Sequence, residues 1–137
     1  MINQEKRSAV VRYWLEKAEE SMASARREFE AESLSFAMNR LYYSAFYAVS
    51  ALLLEHKLAF RKHSGVRAAF HQQFIKTGVL ERRWGRLYDQ LFEDRQEGDY
   101  VVFISFEPAY VETQLKECAE FMKHVRPLIS IVRNNRE

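Results

Sequence analysis

Residues 33–57 read SLSFAMNRLYYSAFYAVSALLLEHK, and this stretch decides the fold. A helix drawn through it carries apolar side chains on nearly every face, whereas a helix on a protein surface keeps one polar side. Helices that are apolar all round lie at the centre of a bundle. We therefore expect residues 33–57 to form a central helix that the other helices surround.

Apolar spacings of three and four residues predict the surrounding helices. They lie at about residues 5–29, 64–76, 82–97 and 108–133. Glycines are expected to end the third and fourth helices, and Pro127 should kink or end the fifth near Arg126. Residues 99–106 are rich in β-forming residues, but no second strand-like run pairs with them, so we expect an extended connector. The predicted fold is all-α, an up-and-down bundle of four main helices plus a shorter fifth.

The composition of the 137 residues fits one domain over residues 1–137, with a core at about 8–130. A hydrophobic share of 47% with four glycines and two prolines excludes disordered and low-complexity classes. Cys118 is the single cysteine, which excludes an internal disulfide, and no Cys/His spacing suits zinc. With a polar N-terminus and no long apolar run, we expect a cytoplasmic protein without membrane, metal or cofactor.

The net charge of +2 hides an uneven distribution. Eight Lys and Arg lie with one acid between residues 56 and 88, whereas nine acids lie with two bases between residues 89 and 120. A basic segment followed by an acidic one indicates an anionic partner or charge-matched self-association. Two helices whose charged faces pair with each other would explain the pattern equally well.

Polar residues inside the central helix form the first candidate site. Asn39, Tyr43 and Tyr47 are spaced by four residues, so they share one face of the helix. Arg40 lies among residues that must be buried, and a buried guanidinium needs an acceptor such as Asp99 or Glu112. The residues Asn39, Arg40, Tyr43 and Tyr47 are thus either ligand contacts or members of a satisfied core network.

Two further groups of residues are candidates for binding phosphate. Arg95, Asp99 and Tyr100 lie near the end of the fourth helix, where an Arg can grip phosphate and a Tyr can stack on a base. His63 lies in a basic loop that enters the third helix, a place that favours anions. The alternatives are a helix cap and a solvated loop. Glycine-rich phosphate loops, nucleophile elbows and metal-binding helices are absent from the sequence.

These segments in this order resemble a HEPN domain. The resemblance covers residues 8–130 and is carried by the motifs Tyr13-Trp14-Leu15, Asn39-Arg40-Leu41-Tyr42-Tyr43-Ser44-Ala45-Phe46-Tyr47-Ala48, Lys62-His63-Ser64-Gly65-Val66 and Arg95 followed by Asp99-Tyr100. It implies a helical bundle that forms a homodimer and that is often partnered with a small nucleotidyltransferase in two-gene toxin–antitoxin modules. Several lineages of this superfamily are metal-independent endoribonucleases.

The resemblance also implies site residues. Its ribonucleases use an Arg followed four to six residues later by a His, brought together from two protomers, and Arg95 matches the Arg. No His lies four to six residues after Arg95, and Asp99 stands in the corresponding stretch. In some members a Tyr near this motif is modified by the nucleotidyltransferase, a role that Tyr100 would match.

Three hypotheses about function follow. The leading one is a dimeric module that binds nucleotide or RNA phosphates, or a nucleotidyltransferase partner, through a groove lined by Arg40, Arg95, Asp99 and Tyr100. The second is a metal-independent endoribonuclease toxin in which Arg95 and Asp99 act despite the missing His. The third is a scaffolding bundle with no ligand.

Overall fold

The computed structural model describes residues 3–100 and 105–129, although for residues 97–100 it describes the helix and not the side chains. These described residues form five α-helices: α1 (Gln4–Glu30), α2 (Leu34–Glu55), α3 (His63–Phe70), α4 (Arg82–Tyr100) and α5 (Pro108–Val125). A π-helical turn, His71–Ile75, continues α3, and a 3₁₀ turn, Arg126–Leu128, follows α5. Within the described ranges there is no strand, so the all-α bundle with α3 as its short helix is confirmed.

Helix α2 lies at the centre and packs against α1, α3, α4 and α5. Twelve of its 22 residues are buried, from Ala37 to Leu54. Helix α1 faces it with the stripe Val11, Ala18, Met22 and Ala25, whose small members let the two backbones approach closely. The expectation that residues 33–57 form the central helix is confirmed. No helix in the described part of the chain has the length and apolar character needed to cross a bilayer.

A three-residue turn makes α1 and α2 antiparallel neighbours. The backbone N–H of Ser33 donates to the carbonyl of Glu28 at 2.8 Å, while Glu32 takes a left-handed conformation with φ 64°. This hydrogen bond and the left-handed residue close a Schellman turn, which satisfies carbonyls at the end of α1. The chain therefore reverses at once, and α1 and α2 pack against each other as neighbours.

The ends of α4 and α5 test two predictions about helix breakers. Helix α4 continues through Gly98 to Tyr100, so the predicted end at Gly98 is wrong. An interior glycine costs a helix only about 1 kcal/mol relative to alanine, which continued hydrogen bonding outweighs. Helix α5 ends at Val125, as Pro127 predicted. Of the predicted connector, residues 101–104 lie outside the described residues, as do residues 130–133 of the predicted fifth helix.

The π-helical turn after α3 packs against α4 at a glycine. A Cβ atom placed on Gly85 would lie 2.8 Å from Cε1 of His71 and 3.3 Å from Cγ1 of Ile75. The same turn buries Phe74 in the core. Because the approach is so close, only a residue without a side chain fits at position 85 while His71 keeps its place.

We predict that Gly85→Ala lowers the free energy of unfolding by about 1–2 kcal/mol, although alanine is the better helix former, because the new methyl group overpacks against His71. Urea denaturation of the variant measures the loss. The same substitution in a His71→Ala background should cost less, since the clashing ring is gone. An equal cost in both backgrounds would contradict this account.

Candidate functional site

Arg95 on α4 lies against two tyrosine rings of α2. Its Cζ atom is 5.2 Å from the ring centroid of Tyr42 and 5.4 Å from that of Tyr43. One Nη atom of Arg95 donates to the hydroxyl of Tyr43 at 3.3 Å, across 52 residues of sequence. A guanidinium held over aromatic rings is attracted by their π-electrons, and the contact restricts its side-chain freedom. The packing of α4 on α2 therefore places a positioned cation at the edge of the core.

His63, the first residue of α3, joins the same group. Its Nδ1 atom lies 2.6 Å from the hydroxyl of Tyr42, and its ring stacks on Phe46 with centroids 4.1 Å apart. We call Tyr42, Tyr43, Phe46, His63 and Arg95 the Arg95 centre. It combines one cation and one imidazole with three aromatic rings.

Burial sets the protonation of this centre. It raises the pKa of Tyr42 to about 12, and burial together with the charge of Arg95 lowers the pKa of His63 below its usual 6.5. Both groups are then neutral at pH 7. In the tautomer in which the phenol of Tyr42 donates to Nδ1, the imidazole proton is on Nε2 and can be donated in a hydrogen bond to an acceptor such as a phosphate oxygen.

The residues predicted on α2 divide between two places. Tyr43 belongs to the Arg95 centre, whereas Tyr47 stacks on Trp14 of α1 with centroids 5.4 Å apart. Arg40 is half-buried and donates to Oδ1 of Asn39 at 2.6 Å.

The predicted pairing of Arg40 with Glu112 is wrong. Glu112 lies 3.5 Å from Lys116, one turn further along α5. A half-buried guanidinium remains partly hydrated, so it does not require the buried carboxylate that the sequence led us to expect. Asn39 and Arg40 thus form a half-buried polar pair on the face of α2 that borders α1.

The other residues predicted at the end of α4 are described only in part. Asp99 and Tyr100 belong to the last turn of the helix, and their side chains lie outside the described residues. Their predicted roles as a catalytic residue and a ligand contact stay predictions. The alternative partner that we considered for Arg40, Asp99, is likewise outside the description.

A second polar cluster lies beside the Arg95 centre and was not predicted. Oδ1 of Asp89 accepts from Nε of Arg67 at 2.8 Å and lies 2.9 Å from Nε2 of His71. The guanidinium of Arg67 also lies 4.6 Å from the ring centroid of Phe92. In sequence, Arg67 and His71 are four residues apart and far from Asp89, so only the packing of α3 on α4 reveals the cluster.

Where the structure describes side chains, residues of the basic segment form ion pairs with residues of the acidic segment. Arg67 contacts Asp89, and Arg83 contacts Glu117 at 2.9 Å. Part of the charge pattern is therefore explained by helices pairing within the bundle, one of the alternatives raised by the sequence. Among the side chains that the structure describes, no three His, Cys, Asp or Glu converge as a metal site requires.

A buried carboxylate fixes the turn of α4 that carries Arg95. Asp94 accepts hydrogen bonds from Nε2 of Gln90 at 2.9 Å and from the hydroxyl of Tyr110. Gln114 donates to the same hydroxyl at 3.1 Å. Burial and the carboxylate of Asp94 raise the pKa of Tyr110, so its phenol stays protonated and donates. This network joins α4 to α5 next to Arg95 and restricts where Arg95 can lie.

Comparison with known proteins identifies the family. The model of the HEPN domain matches residues 11–134, most of the chain. The chain belongs to the HEPN family. A UPF0332 protein of Thermotoga maritima is 40% identical over 120 residues, which cover 88% of this HEPN chain and 91% of the relative. A toxin candidate of Methanocaldococcus jannaschii is 36% identical over 110 residues, covering 80% of this chain and 69% of its own.

Family membership confirms the resemblance read from the tyrosine-rich helix and the motif at Arg95. The sequence of this HEPN chain did not predict that His63 lies in the same cluster as Arg95. It also did not predict that Tyr42 and Phe46 contact His63. One signal was available. Tyr42 and Phe46 are spaced by four residues, so they share one face of α2. No local sequence pattern shows that α3 begins opposite that face.

We predict that Arg95→Gln raises the pKa of His63 toward 6.5, because a nearby positive charge disfavours the imidazolium form. The rise should be incomplete, since burial remains. Titration of the imidazole by NMR measures the value, with Arg83→Gln, near the opposite end of α4, as the matched control. An unchanged pKa in Arg95→Gln would show that the guanidinium does not act on His63.

Proposed function

We propose that this HEPN protein is the toxin component of a two-gene module and that its Arg95 centre binds the phosphate groups of nucleotides or RNA. The observation that supports this proposal is the guanidinium of Arg95 held against Tyr42 and Tyr43, with the imidazole of His63 in the same group. Support also comes from relatives described as toxin candidates.

The chemistry of the centre suits a phosphate. Guanidinium is the protein cation best matched to phosphate, since its planar N–H groups donate to two oxygens at once. The rings of Tyr42 and Tyr43 limit the planes that the Arg95 side chain can take, so less freedom is lost on binding. Tyr43 is only partly buried, and a base attached to the phosphate could stack on its exposed ring.

Ribonuclease activity is the second candidate, and His63 is the observation that favours it. Metal-independent cleavage needs a base that takes the proton of the 2′-hydroxyl, whose oxygen then attacks phosphorus while the 5′-oxygen leaves with a proton from water. A lowered pKa keeps His63 neutral at pH 7. As a base at Nε2 it would need the other tautomer, with Nδ1–H donating to Tyr42. Arg95 would stabilise the extra charge on the phosphorane.

The proposal includes two protein partners. HEPN membership supports a homodimer and a nucleotidyltransferase encoded by the neighbouring gene. Sedimentation at micromolar concentration tests the dimer, and co-purification with the product of such a gene tests the second partner. A monomer would remove any site built from two protomers.

We predict that Arg95→Ala weakens binding of UMP and of short RNA roughly 10- to 100-fold, as expected for loss of a charged hydrogen-bonding partner of phosphate. Isothermal titration at 50 and 200 mM salt gives both the affinity and its salt dependence, which phosphate contacts make steep. Arg83→Ala is the matched control and should bind normally. Wild-type affinity in Arg95→Ala would refute the proposed site.

We predict for the second candidate that His63→Gln and Arg95→Ala each abolish cleavage of a structured RNA in EDTA, because the first removes the base and the second removes the stabilising charge. His124→Gln, an exposed imidazole on α5, should leave cleavage intact. If the wild-type protein leaves every RNA whole in EDTA while still binding it, the cleavage hypothesis fails and the binding hypothesis stands.

A further inference from the structure

A groove runs along one side of the α1 and α2 pair and passes the Arg95 centre. Its aromatic part encloses about 580 Å³ and is bordered by Tyr13, Trp14, Tyr47, Phe60 and His63. Its polar part is bordered by Lys17, Arg27 and Arg40. Tyr43 and Tyr47 line both parts, so the two form one continuous surface. We call it the α1–α2 groove.

The polar part of the groove favours an anion. Three cations, Lys17, Arg27 and Arg40, border it with one carboxylate, Glu20. Glu20 contacts Lys17 at 3.3 Å, and both side chains remain exposed to water. Ser21 and Ser24 add hydroxyl groups between the cations. The positive charges lie on both walls, as a track for a phosphodiester backbone requires.

The aromatic part offers ring faces that the core does not use. Tyr13 is 50% exposed and Phe60 is 46% exposed, values far above those of the buried aromatic residues around α2. Trp14 and Tyr47, which stack on each other with centroids 5.4 Å apart, border the same part of the groove. Exposed rings can stack on nucleobases whatever their sequence, since every base has a π-face. Arg61 borders this end and adds a further cation.

Tyr43 connects the groove to the Arg95 centre. Its hydroxyl accepts from Arg95, while its ring lines both parts of the groove. Along α1 the groove extends from Tyr13 to Arg27, about 21 Å at the helical rise of 1.5 Å per residue. A ligand that reaches both ends is therefore much longer than one nucleotide.

We propose that the α1–α2 groove binds single-stranded RNA that continues beyond the Arg95 centre. Phosphates lie on Arg27, Arg40 and Lys17, and bases stack on Tyr13 and Phe60. The single strand fits better than a duplex because stacking on protein rings requires unpaired bases. The inference rests on the proposed function, since it extends the phosphate-binding centre into a longer site.

The experiment compares a short ligand with a long one on the full-length protein. UMP reaches only the Arg95 centre, and a fluorescein-labelled 12-residue oligouridylate reaches the groove. Arg27→Ala should weaken binding of the 12-mer about three- to tenfold. It should also lower the slope of log affinity against log salt concentration by about 0.7, the value expected for the loss of one phosphate contact. Phe60→Ala should weaken it about tenfold with the slope unchanged. Both variants should bind UMP normally, and Arg95→Ala should weaken both ligands.

Matched controls come from the same chain. Arg26→Ala removes an exposed cation next to Arg27 that borders α5 instead of the groove, and Val79→Ala shortens an exposed apolar side chain away from the groove. Both should bind the 12-mer normally. If either control weakens binding as much as its partner variant, the effect is unspecific and the groove assignment is wrong.

The remaining outcomes separate the two proposals. If the 12-mer depends on Arg95 but not on Arg27 or Phe60, the groove proposal fails and the proposed function stands. If neither ligand binds the wild-type protein, the proposed function fails as well. If Phe60→Ala converts a dimer into a monomer in sedimentation, this face is an interface between copies, which overturns the groove as an RNA site.

Discussion

Helix α2 buries twelve of its 22 residues against four other helices, and the rest of the bundle depends on that packing. Four helices are needed to cover it, and each contributes an apolar stripe. The polar atoms of α2 then need partners inside the bundle. Ser44 donates to the carbonyl of Leu41 at 2.7 Å within its own helix. Tyr42, whose ring is fully buried, meets its partner on another element, the imidazole of His63.

The Arg95 centre is a consequence of that burial. A tyrosine whose ring is in the core and whose hydroxyl reaches the edge holds the start of α3 through His63, and it offers its ring to Arg95. The buried carboxylate of Asp94 then fixes the same turn of α4 from the other side, through Tyr110 of α5. The same residues therefore stabilise the bundle and form the candidate binding site. A substitution at Tyr42 would disturb both the stability of the fold and the binding of a ligand. Groove residues such as Arg27 and Phe60 are exposed, so substitutions there change ligand binding without disturbing the packing of the core.

The features that the sequence predicted correctly depend on interactions between residues that are close together in the chain. Apolar spacing located five helices, and Pro127 located the end of α5 because a proline lacks the N–H that a helix needs. The predicted end of α4 at Gly98 was wrong because one glycine destabilises a helix only slightly, and α4 continues to Tyr100. The pairing of Arg40 with Glu112 failed because burial of α2 was assumed to be complete, whereas position 40 lies at its half-exposed edge. Apolar spacing predicted a helix over residues 64–76 but did not distinguish the π-helical turn that packs over Gly85.

The sequence by itself determined that α2 is central, that the fold is all-α, that the chain resembles the HEPN family and that Arg95 is a candidate residue. Only the tertiary structure decided which residues accompany Arg95. Tyr43 is 52 residues away from it, and His63 reaches Tyr42 across 21 residues. Periodicity shows which face of each helix is buried, but not which faces meet or at what height along the bundle. Which faces meet depends on how the helices pack together. The absence of a His four to six residues after Arg95 therefore did not exclude an imidazole close to Arg95 in the folded protein.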